Sequence, residues 1–337
     1  MKFVKSINES LHRILNQDSS VVFFGEDLDD PYGGAFKASK GLSTNFPNQV
    51  ISTPISEAGI IGLSGGMAIG GLKPIVEIMF SDFILLGADQ LLNHLVKYDW
   101  MYDNQVKTDV TIRTAIGGGR GYGPTHSQSI EPIIAGIPNI KIISPSHYHD
   151  PGEILEHCVL QESGIKIFCE YKMNYAQNLI SRNDSAEGIS FKRSGASFPT
   201  VYLSNCNFNK PDLCIITHGG NTLLVEKLMT ELMIEYELGI NAVIPSIIKP
   251  LPIDDFRESP ALDIIELLSQ SGSEISYYDP YIPNLIYNDM KLESLDDLKN
   301  ESLNSFDACA IITDHSKVDY KIICENSNVI IDTRNVF

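Results

Sequence analysis

Short apolar runs alternate with helix-length segments along most of the chain. The runs VVFFGE (21–26), QVIST (49–53), KPIVEIMF (73–80), DVTIRTAI (109–116), IKIISP (140–145) and IKIFCE (165–170) read as strands. Between them, segments 57–71, 83–98 and 150–161 read as helices, and MKFVKSINESLHRIL at the start reads as an amphipathic helix. Strands alternating with helices predict parallel sheets covered on both faces. A polar stretch, NLISRNDSAEGISFKRSGASFP (178–199), breaks this rhythm and is a candidate linker. A second series follows, with strands expected at 212–219, 240–248, 274–280, 308–314 and 328–333 and helices at 221–236 and 261–270. The pattern predicts an α/β protein of at least two domains, without internal repeats.

Composition narrows the functional classes. Hydrophobic residues make up 43% and charged residues 20%, an ordinary globular balance. No stretch approaches the roughly 18 consecutive apolar residues of a membrane-spanning helix, so no membrane role is expected. The net charge of −18 and the lack of a Lys/Arg-rich run argue against nucleic acid, whose phosphates would be repelled. The six cysteines are scattered without C-x-x-C spacing. With no signal peptide, they are expected to be reduced core residues of a cytoplasmic protein.

Three segments could carry chemistry. In STPISEAGIIGLSGGMAIGGLKP (52–74), strand QVIST ends near Pro54, Ser56 is placed to cap a helix, and Glu57 falls in its first turn. That helix is rich in glycine, each interior one costing roughly 1 kcal/mol relative to alanine. Something should therefore pack closely on it. Glu57 either works chemically or merely favours the helix dipole. In AIGGGRGYGPTHSQSIEP (115–132) a glycine-rich loop presents His126, which is either catalytic or incidental. Neither a G-x-G-x-x-G nor a P-loop spacing is present. PSHYHDP (145–151) offers two histidines and an aspartate, but its spacing fits no metal signature and a solvated loop is expected.

Taken together, FFGEDLDDPYGGAFKASKGL (23–42), TPISEAGIIGLSGGMAIGGLKPIVEIMFSDF (53–83) and GYGPTHSQSIEP (121–132) closely resemble the beta subunits of thiamine-diphosphate-dependent 2-oxoacid dehydrogenase first components. The pyruvate and branched-chain enzymes are of this type. The resemblance covers roughly residues 1–250 and implies a transketolase-like pyrimidine-binding domain over 1–185, with the start of a transketolase-type C-terminal domain over 186–252. It implies that Glu57 hydrogen-bonds N1′ of the thiamine diphosphate aminopyrimidine and drives it toward the imino tautomer, whose 4′-imine takes the C2 proton. It further implies that Phe83 packs on that ring. His126, matching the family's H-S-Q-S histidine, would line the substrate channel and assist proton or acyl transfer to lipoamide. At another position near the cofactor, where some relatives carry Gln, this chain has Leu86. The family's diphosphate–Mg²⁺ motif, G-D-G with a later Asn, does not occur in this chain. The resemblance therefore implies an alpha subunit that holds Mg²⁺ and the diphosphate in an α₂β₂ heterotetramer, a 2-oxoacid substrate, and a dihydrolipoyl acyltransferase partner.

After about Leu251 the chain instead resembles the C-terminal, UDP-binding domain of UDP-sugar 6-dehydrogenases, through R-E-S-P-A, Y-D-P-Y, T-D-H and D-T-R-N in order. Residues 253–337 are expected to complete the second domain as a hybrid, Rossmann-like fusion. Strand 240–248 would stand in for the dehydrogenase domain's first strand within one continuous sheet. The nucleotide-binding and catalytic cysteine regions of those enzymes are missing. Asp255, Arg257, Asp314, His315 and Arg334 are thus expected to be structural relics. The alternative is a non-catalytic hybrid whose tail binds UDP or a UDP-sugar, in a polysaccharide-biosynthesis setting.

Overall fold

The computed structural model describes residues 1–180, 188–194, 197–206, 211–251, 264–265, 268–269, 271–287, 290–298, 303–312 and 318–332. The chain divides into two compact units, Met1–Pro252 and Ile253–Phe337.

The first unit is built on β1 (Val21–Glu26), β2 (Val50–Thr53), β3 (Lys73–Ile78), β4 (Val110–Ile116), β5 (Ile140–Ile143) and β6 (Ile165–Tyr171). These six lie parallel in the order β5-β6-β4-β3-β1-β2, with β11 (Ile247–Lys249) added antiparallel beside β5. Successive residues of a strand face opposite sides, so the sheet supplies two cores. Phe23, Ile75, Ala115, Ile143 and Phe168 pack beneath helices α1 (Phe3–Gln17) and α6 (Pro151–Leu160). Helix α1 presents Phe3, Ile7, Leu11 and Ile14 at helical spacing to that face. Phe24, Val76, Ile112, Ile142 and Ile167 instead meet α3 (Glu57–Ile69) and the segment around Leu91 and Leu95.

The strands expected from the apolar runs form within two residues of their expected ends. The helix expected over 83–98 does not form as one piece. Ser81–Gly87 is a 3₁₀ turn, Gln90–Leu95 is π-helical and only Val96–Met101 (α4) is regular. The reason is local. Gly87 lies against Ile61 and the Glu57 carbonyl, where a Cβ would come within 2.5 Å of Ile61 Cδ1. The chain reaches that close approach only by leaving the regular helical path.

Within the polar stretch 178–199, a strand forms at Ser190–Arg193. β7 (Ser190–Arg193) and β8 (Thr200–Ser204) pair antiparallel, and with β10 (Ile240–Pro245) and β9 (Leu213–Ile216) make a four-stranded sheet. Helix α7 (Thr222–Tyr236) covers it through Val225 and Met229. The run 240–248 is split at Ser246, its first part entering this sheet and its second joining the large one.

In the second unit, β12 (Asn284–Tyr287) and β13 (Met290–Glu293) form a hairpin. β14 (Cys309–Ile311) and β15 (Ile330–Asp332) are parallel and are joined through helix α8 (Tyr320–Asn326), whose first turn is capped by the Asp319 carboxylate. The strand expected at 274–280 is reduced to one bridge at Tyr277. Asp255, Arg257, Asp314, His315 and Arg334 lie outside the described residues, as does most of the helix expected at 261–270.

Candidate active site

Parallel strands aim their carboxyl ends at one edge of the sheet, where ligands of open α/β folds bind. Here β1 ends at Glu26, β3 runs into Phe80–Phe83, β4 into the glycine loop and β6 into Tyr171–Lys172. Glu57 opens α3 and is buried. Ser56, expected to cap that helix, makes no side-chain cap. Its carbonyl accepts from Ile60 N–H at 2.8 Å.

Glu26 and Glu57 form a pair of neighbouring buried carboxyls. Burial, then the charge of Glu57 and then that of Asp27, push the Glu26 carboxyl up to about 6, against the Ser56 N–H. Among the described residues Glu26 Oε1 has no hydrogen-bond partner. An unpartnered carboxyl oxygen beside a second carboxyl suits a basic heteroaromatic ring, which offers both a ring nitrogen and an amino donor. The residues present therefore fit the pyrimidine end of thiamine diphosphate. No group of three or more His, Cys, Asp and Glu side chains that could hold a metal occurs among the described residues.

Phe83 and His126 come together, with ring centroids 5.2 Å apart and planes at 85°. Phe80 meets His126 edge-on at 4.8 Å, and Tyr122 and Phe36 extend the aromatic wall. The 81–87 turn that carries Phe83 meets the start of α3, because Gly87 packs on the Glu57 carbonyl. The His126 ring is partly exposed, with Thr125 Oγ1 2.9 Å from its Nδ1. Leu86 is 63% exposed and lies on the outer side of the turn.

The glycine loop has a steric cause. Gly117, at φ +80°, lies where a Cβ would fall 2.5 Å from the Tyr171 ring. Beyond it the backbone is fixed at Gln128, whose carbonyl accepts from Gly117 N–H (2.9 Å) and Ser81 Oγ (3.1 Å). Lys172, fully buried, donates from Nζ to the His126 carbonyl at 2.8 Å. Glu26, Asp82 and Lys172 escaped the sequence reading. Their one signal was a charged residue at or just past the carboxyl end of an apolar strand.

The PSHYHDP loop is not solvated, contrary to expectation. His147, Tyr148 and His149 are buried, lying over β8 and α7. His149 accepts from Ser146 N–H at Nδ1 and donates from Nε2 to the Pro199 carbonyl, and burial drops it to about 3, so it stays neutral. His147 contacts Glu226 at 3.2 Å. Both histidines are structural. No disulfide links cysteines among the described residues; Cys158 and Cys169 are core residues, but Cys214 and Cys324 are exposed.

Among the described residues no helix is long and apolar enough to cross a membrane. Residues 1–177 match the transketolase pyrimidine binding domain, and residues 252–337 the UDP binding domain of the UDP-glucose/GDP-mannose dehydrogenase family. The beta subunit of acetoin:2,6-dichlorophenolindophenol oxidoreductase from Cupriavidus necator is 29% identical over 265 residues, 75% of this chain and 74% of that protein. The 2-oxoisovalerate dehydrogenase beta subunit of Bacillus subtilis is 34% identical over 176 residues, covering 52% of this chain and 53% of that one. The mitochondrial pyruvate dehydrogenase E1 beta subunit of Saccharomyces cerevisiae is 28% identical, covering 74% and 65% respectively. In fold the chain is similar to a split gene transketolase in an inactive beta4 tetramer, with a TM-score of 0.54 at 16% identity over 81% of this chain and 75% of that one. The chain belongs to the transketolase pyrimidine-binding domain family and carries at its C-terminus a UDP-binding-domain segment of the UDP-glucose/GDP-mannose dehydrogenase family.

Proposed function

We propose that this chain is the beta-type subunit of a thiamine-diphosphate-dependent 2-oxoacid dehydrogenase, which decarboxylates a 2-oxoacid and passes the acyl group to lipoamide. The reading rests on one observation: the buried Glu57 opens α3, which meets through Gly87 the turn that carries Phe83, and Phe83 packs on His126. Thiamine diphosphate, when bound, supplies the electron sink for decarboxylation. Glu57 offers a carboxyl to the pyrimidine ring nitrogen. Glu26, held partly neutral, limits repulsion within the pair. Phe83 lays an apolar ring against the cofactor side, and His126, on the exposed side, moves a proton at its imidazole during acyl transfer.

The same reading requires an alpha subunit to hold Mg²⁺ and the diphosphate. Helix α3 supports it. Gly65 is needed within this chain, since a Cβ there would lie 2.9 Å from Tyr98, but Gly66 faces nothing within 4 Å. Gly59, Leu63, Gly66 and Gly70 share one exposed face of the helix at spacings of four, three and four. Gly66, which costs helix stability without an internal neighbour, fits close approach by a partner subunit. A dihydrolipoyl acyltransferase would then receive the acyl group. Co-expression with the cognate alpha subunit and assay of 2-oxoacid decarboxylation test the proposal. Glu57→Gln is expected to lower the rate by about 10²-fold or more; full activity in that variant overturns the assignment.

The match over residues 252–337 favours a second reading, a non-catalytic hybrid whose tail binds UDP or a UDP-sugar. That reading predicts a rise in melting temperature with UDP together with failure to assemble with an alpha subunit in light scattering.

A further inference from the structure

Lys172 is a buried cation that the proposed chemistry does not use. It follows the last residue of β6, and its backbone N–H donates to the Ile116 carbonyl at the end of β4, so its position is fixed by the sheet. Its ammonium donates to the His126 carbonyl at 2.8 Å and lies 5.3 Å from the centroid of Phe80, the ring that meets His126 edge-on. Asp82 works from the other side. Its Oδ1 accepts from Gln128 N–H at 3.4 Å, while its Oδ2 is buried without a hydrogen-bond partner among the described residues. The loop so held is rich in glycine. Gly117, Gly119, Gly121 and Gly123 all have positive φ, and residues 119–125 are exposed.

We propose that Lys172 is a positioning residue for His126, fixing the histidine's backbone to the end of β6 so that its ring stays against Phe80 and Phe83. Burying an unpaired ammonium is costly, and desolvation brings Lys172 down to about 8 despite the opposing charge of Asp82. Such a cost is tolerated where the group has a defined task. A methionine would fill the same volume without it. Because the inference rests on the reading of His126 as the acyl-transfer histidine, its test compares both residues.

The experiment uses the complex with the cognate alpha subunit and measures two rates. One is acyl transfer to a lipoyl acceptor; the other is decarboxylation coupled to an artificial dye oxidant, which bypasses that transfer. Lys172→Met is expected to lower kcat for lipoyl transfer by roughly 10- to 100-fold, the scale of a misplaced catalytic group. Dye-coupled turnover should stay within about threefold of the wild type, because a misplaced transfer group leaves the earlier steps intact. Lys172→Arg, which keeps a cationic donor, should recover part of the loss, and His126→Asn should reproduce it. A Lys172→Met complex that keeps full lipoyl transfer while His126→Asn loses it overturns the positioning role. An equal fall of both rates in Lys172→Met, without recovery by arginine, marks a merely structural lysine and also overturns it. If His126→Asn leaves transfer unchanged, the reading of His126 itself is overturned, and the role of Lys172 with it.

Discussion

At the residue scale, the site is set by how its charges are buried. Glu26 is held up at about 6, above its ordinary value of 4.5, so between those values the folded chain binds more protons than the unfolded one. Its contribution to stability is therefore favourable in acid and fades as the pH rises through about 6. At neutral pH the ionised group costs the fold about 1–2 kcal/mol. Glu26→Gln is expected to raise the melting temperature at pH 7.5, with the gain vanishing near pH 4.5; a gain that persists in acid would refute this account. Arg113 behaves oppositely. It is 2% exposed and pairs with Glu170 through Nε and Nη2 (2.7 and 2.9 Å) and with Glu77 through Nη1 (2.8 Å). Arg113→Met leaves two buried carboxylates without their cation and should cost about 3–5 kcal/mol in denaturant unfolding. Adding Glu170→Gln to that variant should restore part of the loss, since the uncompensated charge is the larger penalty.

At the scale of elements, the helix that carries Glu57 and the turn that carries Phe83 act as one unit because Gly87 lets them touch. Gly87→Ala would press a methyl against Ile61 and the Glu57 carbonyl. It is expected to destabilise by about 1–3 kcal/mol and to lower activity of the assembled enzyme more than a distant mutation of equal cost. Thermal melting and decarboxylation rate, measured on the same preparation, check both parts. This element also marks where the sequence was hard to read. The six parallel strands of the large sheet were legible because each is a short apolar run between turn residues, and Glu57 because its helix starts where such a run ends. The 83–98 segment has helical periodicity, yet a single close contact at Gly87, distant in sequence from Ile61, redirects it. β7 and β8 were obscured because β7, Ser190–Arg193, is polar and only partly buried. Lys172 stayed hidden for a related reason: its importance lies in a hydrogen bond to a loop 46 residues earlier, and composition does not record such pairings.

At the scale of the whole molecule, the chain carries segments matching two protein families, over residues 1–177 and 252–337, and the question is what each needs from the other. The unit Met1–Pro252 holds the seven-stranded sheet, both of its cores and the four-stranded sheet with its own apolar cluster. Glu57, Phe83, His126 and Lys172 all belong to it. A body with its own cores is expected to fold alone. A chain ending at Leu251 should therefore keep a cooperative thermal transition and the α/β circular dichroism of the full protein. If it also binds an alpha subunit and supports decarboxylation, residues 253–337 are dispensable for the thiamine chemistry. A truncated chain that folds cooperatively but no longer assembles would assign the tail a part in assembly. Loss of the cooperative transition would show instead that the first unit depends on the second for its stability, contrary to the self-contained cores described above.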